Sequence, residues 1–162
     1  MIIFDANVLI TLTAYDESNS DCLKITSLIS RLCESKITVG IPAPALSEFM
    51  VRTDDATSEV IESLRKKPYL KILPFDEASA TEAAIILKTA MNDKGHKRGD
   101  SQSSWQKVKF DRQILAIAKT NRATEIYSDD ENLIKEALRI GLVTKKVSEL
   151  PMPQVQTTIK FD

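Results

Sequence analysis

Histidine and cysteine are scarce in this chain of 162 residues, which has one His and two Cys. Zinc centres draw about three or four ligands from those residue types, so zinc chemistry is excluded. Acid–base mechanisms that need a pair of histidines are excluded on the same ground. Cys22 and Cys33 fall eleven positions apart on one helical pattern, about 16 Å along the axis. A disulfide tolerates at most about 7 Å between Cα atoms, so both are expected as reduced core thiols, as suits a cytoplasmic protein. Net charge is also nearly absent, at −1, so any polyanion would have to be held by a local basic patch. No run reaches the roughly 18 uncharged apolar residues that cross a bilayer. The opening MIIFDANVLITLTA is apolar but has no basic lead and is interrupted by Asp5 and Asn7. It reads as a buried first strand, not as a signal peptide.

What is present is the composition of an ordinary globular domain, 43% hydrophobic and 28% charged with only four Gly and six Pro. The length suits one domain with a sizeable core, placed over 1–150. The tail PMPQVQTTIKFD, 151–162, is left as an edge strand, a partner-binding arm or a loose end. Short β-like runs alternate with helical patterns: MIIFD, ITVGIP (37–42), YLKILPF (69–75), TEIYS (124–128) and a shorter strand within VTKKVSEL. Between them, 20–35, 43–51, 57–67, 76–91, 107–121 and 130–142 show helical spacing or helix-start signals. The polar, glycine-containing text from Asn92 to Ser104 reads as a loop. Strands separated by helices predict an α/β/α sandwich around a parallel sheet, with ligands bound beyond the carboxyl ends of the strands.

The acids fall where that edge would lie. Asp5 closes the first strand, Glu48 follows the second in the early turns of a helix, and Asp129 and Asp130 follow the fourth. Asp111 shares a helix face with Leu115 and Ala118. Two carboxylates about 4 Å apart repel by roughly 4 kcal/mol at an effective dielectric near 20. A hard divalent cation reverses that sign, and an all-oxygen set favours Mg²⁺ or Mn²⁺. Such ions suit phosphodiester hydrolysis, in which they activate water and stabilise the leaving oxygen. Read locally, Ser128-Asp129-Asp130-Glu131 is instead a capping box; the two roles are compatible if Ser128 caps while a neighbouring acid faces the ion. The stretch 92–112 carries Lys94, Lys97, Arg98, Lys107, Lys109 and Arg112 around Trp105. This set either grips RNA phosphates while Trp105 stacks on a base, or is a solvated surface with Trp105 packed on the core or a dimer partner.

Four stretches in order resemble the motifs of the PIN-domain nucleases: FDANVLI (4–10), Glu48 after the second strand, FDRQILAIA (110–118) and IYSDDENL (126–133). The resemblance runs from about residue 2 to 135. It implies a PIN-like α/β/α fold and Mg²⁺- or Mn²⁺-dependent endoribonuclease activity that leaves 5′-phosphate and 3′-hydroxyl ends. By matching position it implies Asp5, Glu48, Asp111 and Asp130 as catalytic, metal-holding acids, Asp129 as an auxiliary ligand, and Asn7 and Ser128 as polar helpers. Ser128 stands where the fourth motif usually has Thr, and Leu133 where it usually has Phe. Prokaryotic single-domain members are often toxins neutralised by a small antitoxin, so the expected partners are RNA, an antitoxin and a second copy of the chain. The rival reading is a catalytically inert PIN-like module that binds RNA or protein. A phosphatase with an Asp nucleophile would show a second Asp where Asn7 stands.

Overall fold

Strand β1 (Ile2–Phe4) is buried on both faces, as an uninterrupted apolar run should be in a parallel sheet. In the computed structural model, which describes residues 1–14, 19–52, 62, 66–99 and 101–153, β1 lies at the centre. β2 (Val39–Pro42) and then β3 (Leu70–Leu73) lie on one side of it, and β4 (Glu125–Tyr127) and then β5 (Val143–Lys145) on the other. The order β3-β2-β1-β4-β5 is parallel throughout. Ile2 pairs with Val39, while Ile3 pairs with Ile126 and Phe4 with Tyr127. The chain builds outward from β1 in one direction and later returns to build in the other. This makes the β1–β4 edge a topological switch point, where α/β sheets bind ligands.

Side chains alternate across the sheet and make two cores. On one face Ile2 and Phe4 pack with Val8 and Leu9 of α1 (Ala6–Ala14) and with Ile25, Leu28, Ile29 and Leu32 of α2 (Ser20–Glu34). On the other, Ile3 and Ile126 pack with Ile86 of α4 (Glu77–Lys94), with Ile114–Ala118 of α5 (Trp105–Thr120) and with Leu133 and Ala137 of α6 (Glu131–Arg139). Helix α3 (Ala43–Arg52) follows β2 directly and buries Ala45 and Phe49. The expected three-layer arrangement is therefore observed. Cys22 is buried, Cys33 half-buried, and both thiols are free. Among the described residues no helix is long and apolar enough to cross a membrane.

Three boundaries differ from expectation. Residues 6–14, read as part of a first apolar run, form α1; ANVLITLTA is apolar almost all round and so shows no helical stripe. Helix α4 continues to Lys94 and stops at Gly95, whose left-handed backbone (φ 71°) caps it, so the following loop is shorter than 92–104. Finally, a 3₁₀ turn, Val147–Glu149, follows β5. The helix expected over 57–67 lies almost wholly outside the described residues, as does most of the 151–162 tail.

Candidate active site

Because β1 and β4 are paired, the residues that follow them meet at one edge. The Asp5 backbone N–H donates to the Tyr127 carbonyl at 3.1 Å, and Ser128 is tied to β5 through the Lys145 carbonyl, also at 3.1 Å. Ser128 is fully buried and its hydroxyl organises the corner. It donates to Asp5 Oδ2 at 2.7 Å and accepts from Asn7 Nδ2 at 3.2 Å and from the Asp130 N–H at 3.0 Å. The helix cap falls elsewhere than the Ser-x-x-Glu pattern implied. Asp130 is the N-cap of α6, its Oδ1 accepting from the N–H groups of Asn132 and Leu133 at 2.8 and 3.1 Å. Ser128 is too far upstream to cap, and its oxygen is already engaged with Asp5.

Asp5 and Asp111 are both buried, at 6% and 7% exposure. Burial pushes the Asp5 carboxyl up to about 6, and Glu48 and Asp130 add to the rise, against the hydrogen bonds from Ser128 and the Ala6 N–H. Burial likewise pushes Asp111 up to about 7; Lys107 eases the shift while Asp130, Asp5 and Glu48 reinforce it. Asp130 is also partly desolvated, but the Lys107 ammonium and the helix N–H groups outweigh this and hold it below its ordinary value. Four acids from four elements thus act on one another electrically, although Glu48 is exposed on α3. Asp129 Oδ1 accepts from the Val147 N–H at 3.3 Å. Lys107, one helical turn before Asp111, places Nζ 2.5 Å from Asp130 Oδ2 and 3.8 Å from Asp111 Oδ1.

Two observations bear on a cation. The donor set is all oxygen, and Asn7 Oδ1 is buried with no hydrogen-bond partner among the described residues, an orphan that costs about 1–3 kcal/mol unless something engages it. These features fit Mg²⁺ or Mn²⁺. As placed, however, no three His, Cys, Asp or Glu side chains among the described residues stand close enough to hold one ion.

The basic residues divide into two groups. Lys94, Lys97, Arg98 and Lys109 are exposed, and Lys97 Nζ lies 4.7 Å from the centroid of the half-buried Trp105 ring. Arg112 is 2% exposed. Its guanidinium donates to both Glu136 oxygens, at 3.2 and 3.3 Å, and to the Lys97 carbonyl. It therefore braces α5 against α6 and the 95–99 turn. Nothing local in the sequence signals Glu136, 24 positions on. The Lys107–Asp111 pairing, by contrast, has the i,i+4 spacing that could have revealed it.

No curated protein sequence matches the chain. Solved structures match it in fold. A VapBC2 complex from Rickettsia felis bound to a DNA fragment from its promoter contains a chain 18% identical, with TM-score 0.58, covering 90% of this chain and 98% of that one. A toxin–antitoxin complex from Klebsiella pneumoniae gives 16% identity and TM-score 0.56, covering 90% and 97%. Mycobacterium tuberculosis VapC20, described as a sarcin–ricin-loop-cleaving toxin, gives 14% and 0.54, covering 88% and 97%. A family model, the PIN domain, matches residues 2–137. That stretch runs from β1 into the helix capped by Asp130, and with it matched the chain belongs to the PIN-domain family.

Proposed function

We propose that this chain is a Mg²⁺- or Mn²⁺-dependent endoribonuclease and the toxin of a toxin–antitoxin pair. The observation that carries the reading is the convergence of Asp5, Asp111 and Asp130 with Glu48 at the sheet's switch point, two of them buried and pushed toward neutrality. Neighbouring carboxylates in a buried setting are costly when ionised together, and a divalent cation is the counter-charge their chemistry suits. Asp5, Glu48, Asp111 and Asp130 would hold it, with Asn7 Oδ1 beside them and Asp129 as an auxiliary donor. Bound there, the ion supplies a nucleophilic water and neutralises charge on the phosphate.

The protein's own residues position this chemistry. Ser128 fixes the Asp5 carboxylate through its 2.7 Å hydrogen bond. The α6 N-terminus fixes Asp130. Lys94, Lys97, Arg98 and Lys109 would draw the RNA backbone to the edge, and Trp105 would offer a face for a base, a sequence-tolerant contact. Cleavage is expected in single-stranded or looped RNA, leaving 5′-phosphate and 3′-hydroxyl ends. The fold shared with chains of toxin–antitoxin complexes supports an antitoxin partner for this chain; a second copy of the chain is an expectation carried from the sequence.

The test is cleavage of a mixed RNA substrate by the purified protein. Mn²⁺ should give cleavage that EDTA abolishes, and Asp5→Asn should reduce it by about a hundredfold or more, on the scale by which disturbing a metal's surroundings lowers activity. Equal cleavage with EDTA and with Mn²⁺, or full activity in Asp5→Asn, would overturn the reading.

A further inference from the structure

Metal ligation by itself leaves Lys107 unexplained. A cation-binding edge gains nothing from an ammonium group among its ligands, yet Lys107 Nζ bridges Asp130 Oδ2 at 2.5 Å and Asp111 Oδ1 at 3.8 Å. The two carboxylates belong to different elements, α5 and the cap of α6, and their side chains are only 10% and 21% exposed. The lysine side chain is 41% exposed, so its stem has a route out to solvent. An ammonium and a divalent ion seek the same oxygens, and at about 4 Å from each other they would repel by roughly 8 kcal/mol at an effective dielectric near 20. Both cannot stay. Lysine also suits a replaceable contact better than arginine, being a point charge on a flexible stem without a planar fork to lock onto carboxylates.

We infer that Lys107 is an internal counter-ion for Asp111 and Asp130 that a divalent cation must displace, so that it sets the metal concentration at which the site loads. The inference rests on the reading of those two acids as metal ligands. It adds a function that the reading lacks. The lysine holds the acids together while the protein folds, and its removal frees them for metal at the expense of stability. Lys107 is here a positioning residue, acting through the carboxylates.

The experiment titrates the full-length, metal-stripped protein with Mn²⁺ without RNA, reading free Mn²⁺ by electron paramagnetic resonance at low ionic strength. Lys107→Met should bind Mn²⁺ about tenfold more tightly than the native chain, an effect kept modest by solvent screening of a part-exposed pair. Its melting temperature should fall without metal and recover with saturating Mn²⁺. Lys107→Arg should bind no more tightly than the native chain. Lys107→Gln serves as a second neutral variant should the methionine variant fold poorly. Unchanged or weaker Mn²⁺ affinity in a natively folded neutral variant would overturn the counter-ion role while leaving the metal site standing. A native chain that takes up no Mn²⁺ at millimolar concentration would overturn both.

Discussion

Asp129 and Asp130 are neighbours in sequence with opposite surroundings. Asp130 faces Lys107 and caps α6, whereas Asp129 holds the Val147 N–H. Asp130→Asn keeps a good N-cap and so should fold normally, yet lose about a hundredfold in RNA cleavage, comparable with disturbing a metal's supporting shell. Asp129→Asn should change cleavage little. Kinetics of the two purified variants check this, and a larger loss at Asp129 would reverse the assignment. At this scale the acids themselves were legible: Asp5 ends an apolar run, and Asp111 lies on the stripe of Leu115 and Ala118. Their supports, Asn7 and Ser128, were named only through the resemblance, and their bonding partners were not. Ser128 read as a cap because Ser-x-x-Glu is a local pattern, while its actual partner, Asp5, is 123 positions away. No local signal reaches that far.

Helix α5 serves two sites at once, sending Lys107 and Asp111 to the acidic edge and Arg112 to Glu136 of α6. That pair is deeply buried, at 3% and 11% exposure. Arg112→Met should therefore destabilise the fold by about 3 kcal/mol, because the buried Glu136 loses its two-pronged partner and keeps only the exposed Arg139, at 3.8 Å. Adding Glu136→Leu should recover much of the loss. Urea unfolding of the single and double variants measures both. If Arg112 instead met RNA, the single variant would keep its stability and lose RNA affinity. Element boundaries were readable where side chains punctuate the chain, as with Asp76, which caps α4 through the Ser79 N–H. Helix α1 was not readable, since a segment apolar on all sides carries no periodicity to distinguish it from a strand.

For the whole molecule, alternating strands and helices announced a parallel sheet, but the neighbours of β1 could be known only from pairing. That pairing has a thermodynamic cost at neutral pH. Asp5 and Asp111 ionise near 6 and 7 in the fold against an ordinary 3.8, so from about pH 4 to 7 the native state holds more protons than the unfolded chain. Stability must then fall as pH rises through that window. Asp130, shifted downward, contributes stability that is lost only below the window, as pH drops under its ordinary value. In EDTA the urea midpoint should thus be lower at about pH 8 than at about pH 5. Mn²⁺ at a hundred times its dissociation constant should restore about 2.7 kcal/mol at the higher pH. A midpoint that climbs from pH 5 to 8 without metal would contradict this account. The same pairing of β1 with β4 also governs when the site comes into being. Asp5 precedes Ser128 by 123 positions, so a growing chain presents Asp5 well before Ser128 and Asp130 exist to meet it. A copy abandoned midway through synthesis therefore carries its first acid with no partner strand beside it. Only a chain extended through β4 to Asp130 can assemble the edge.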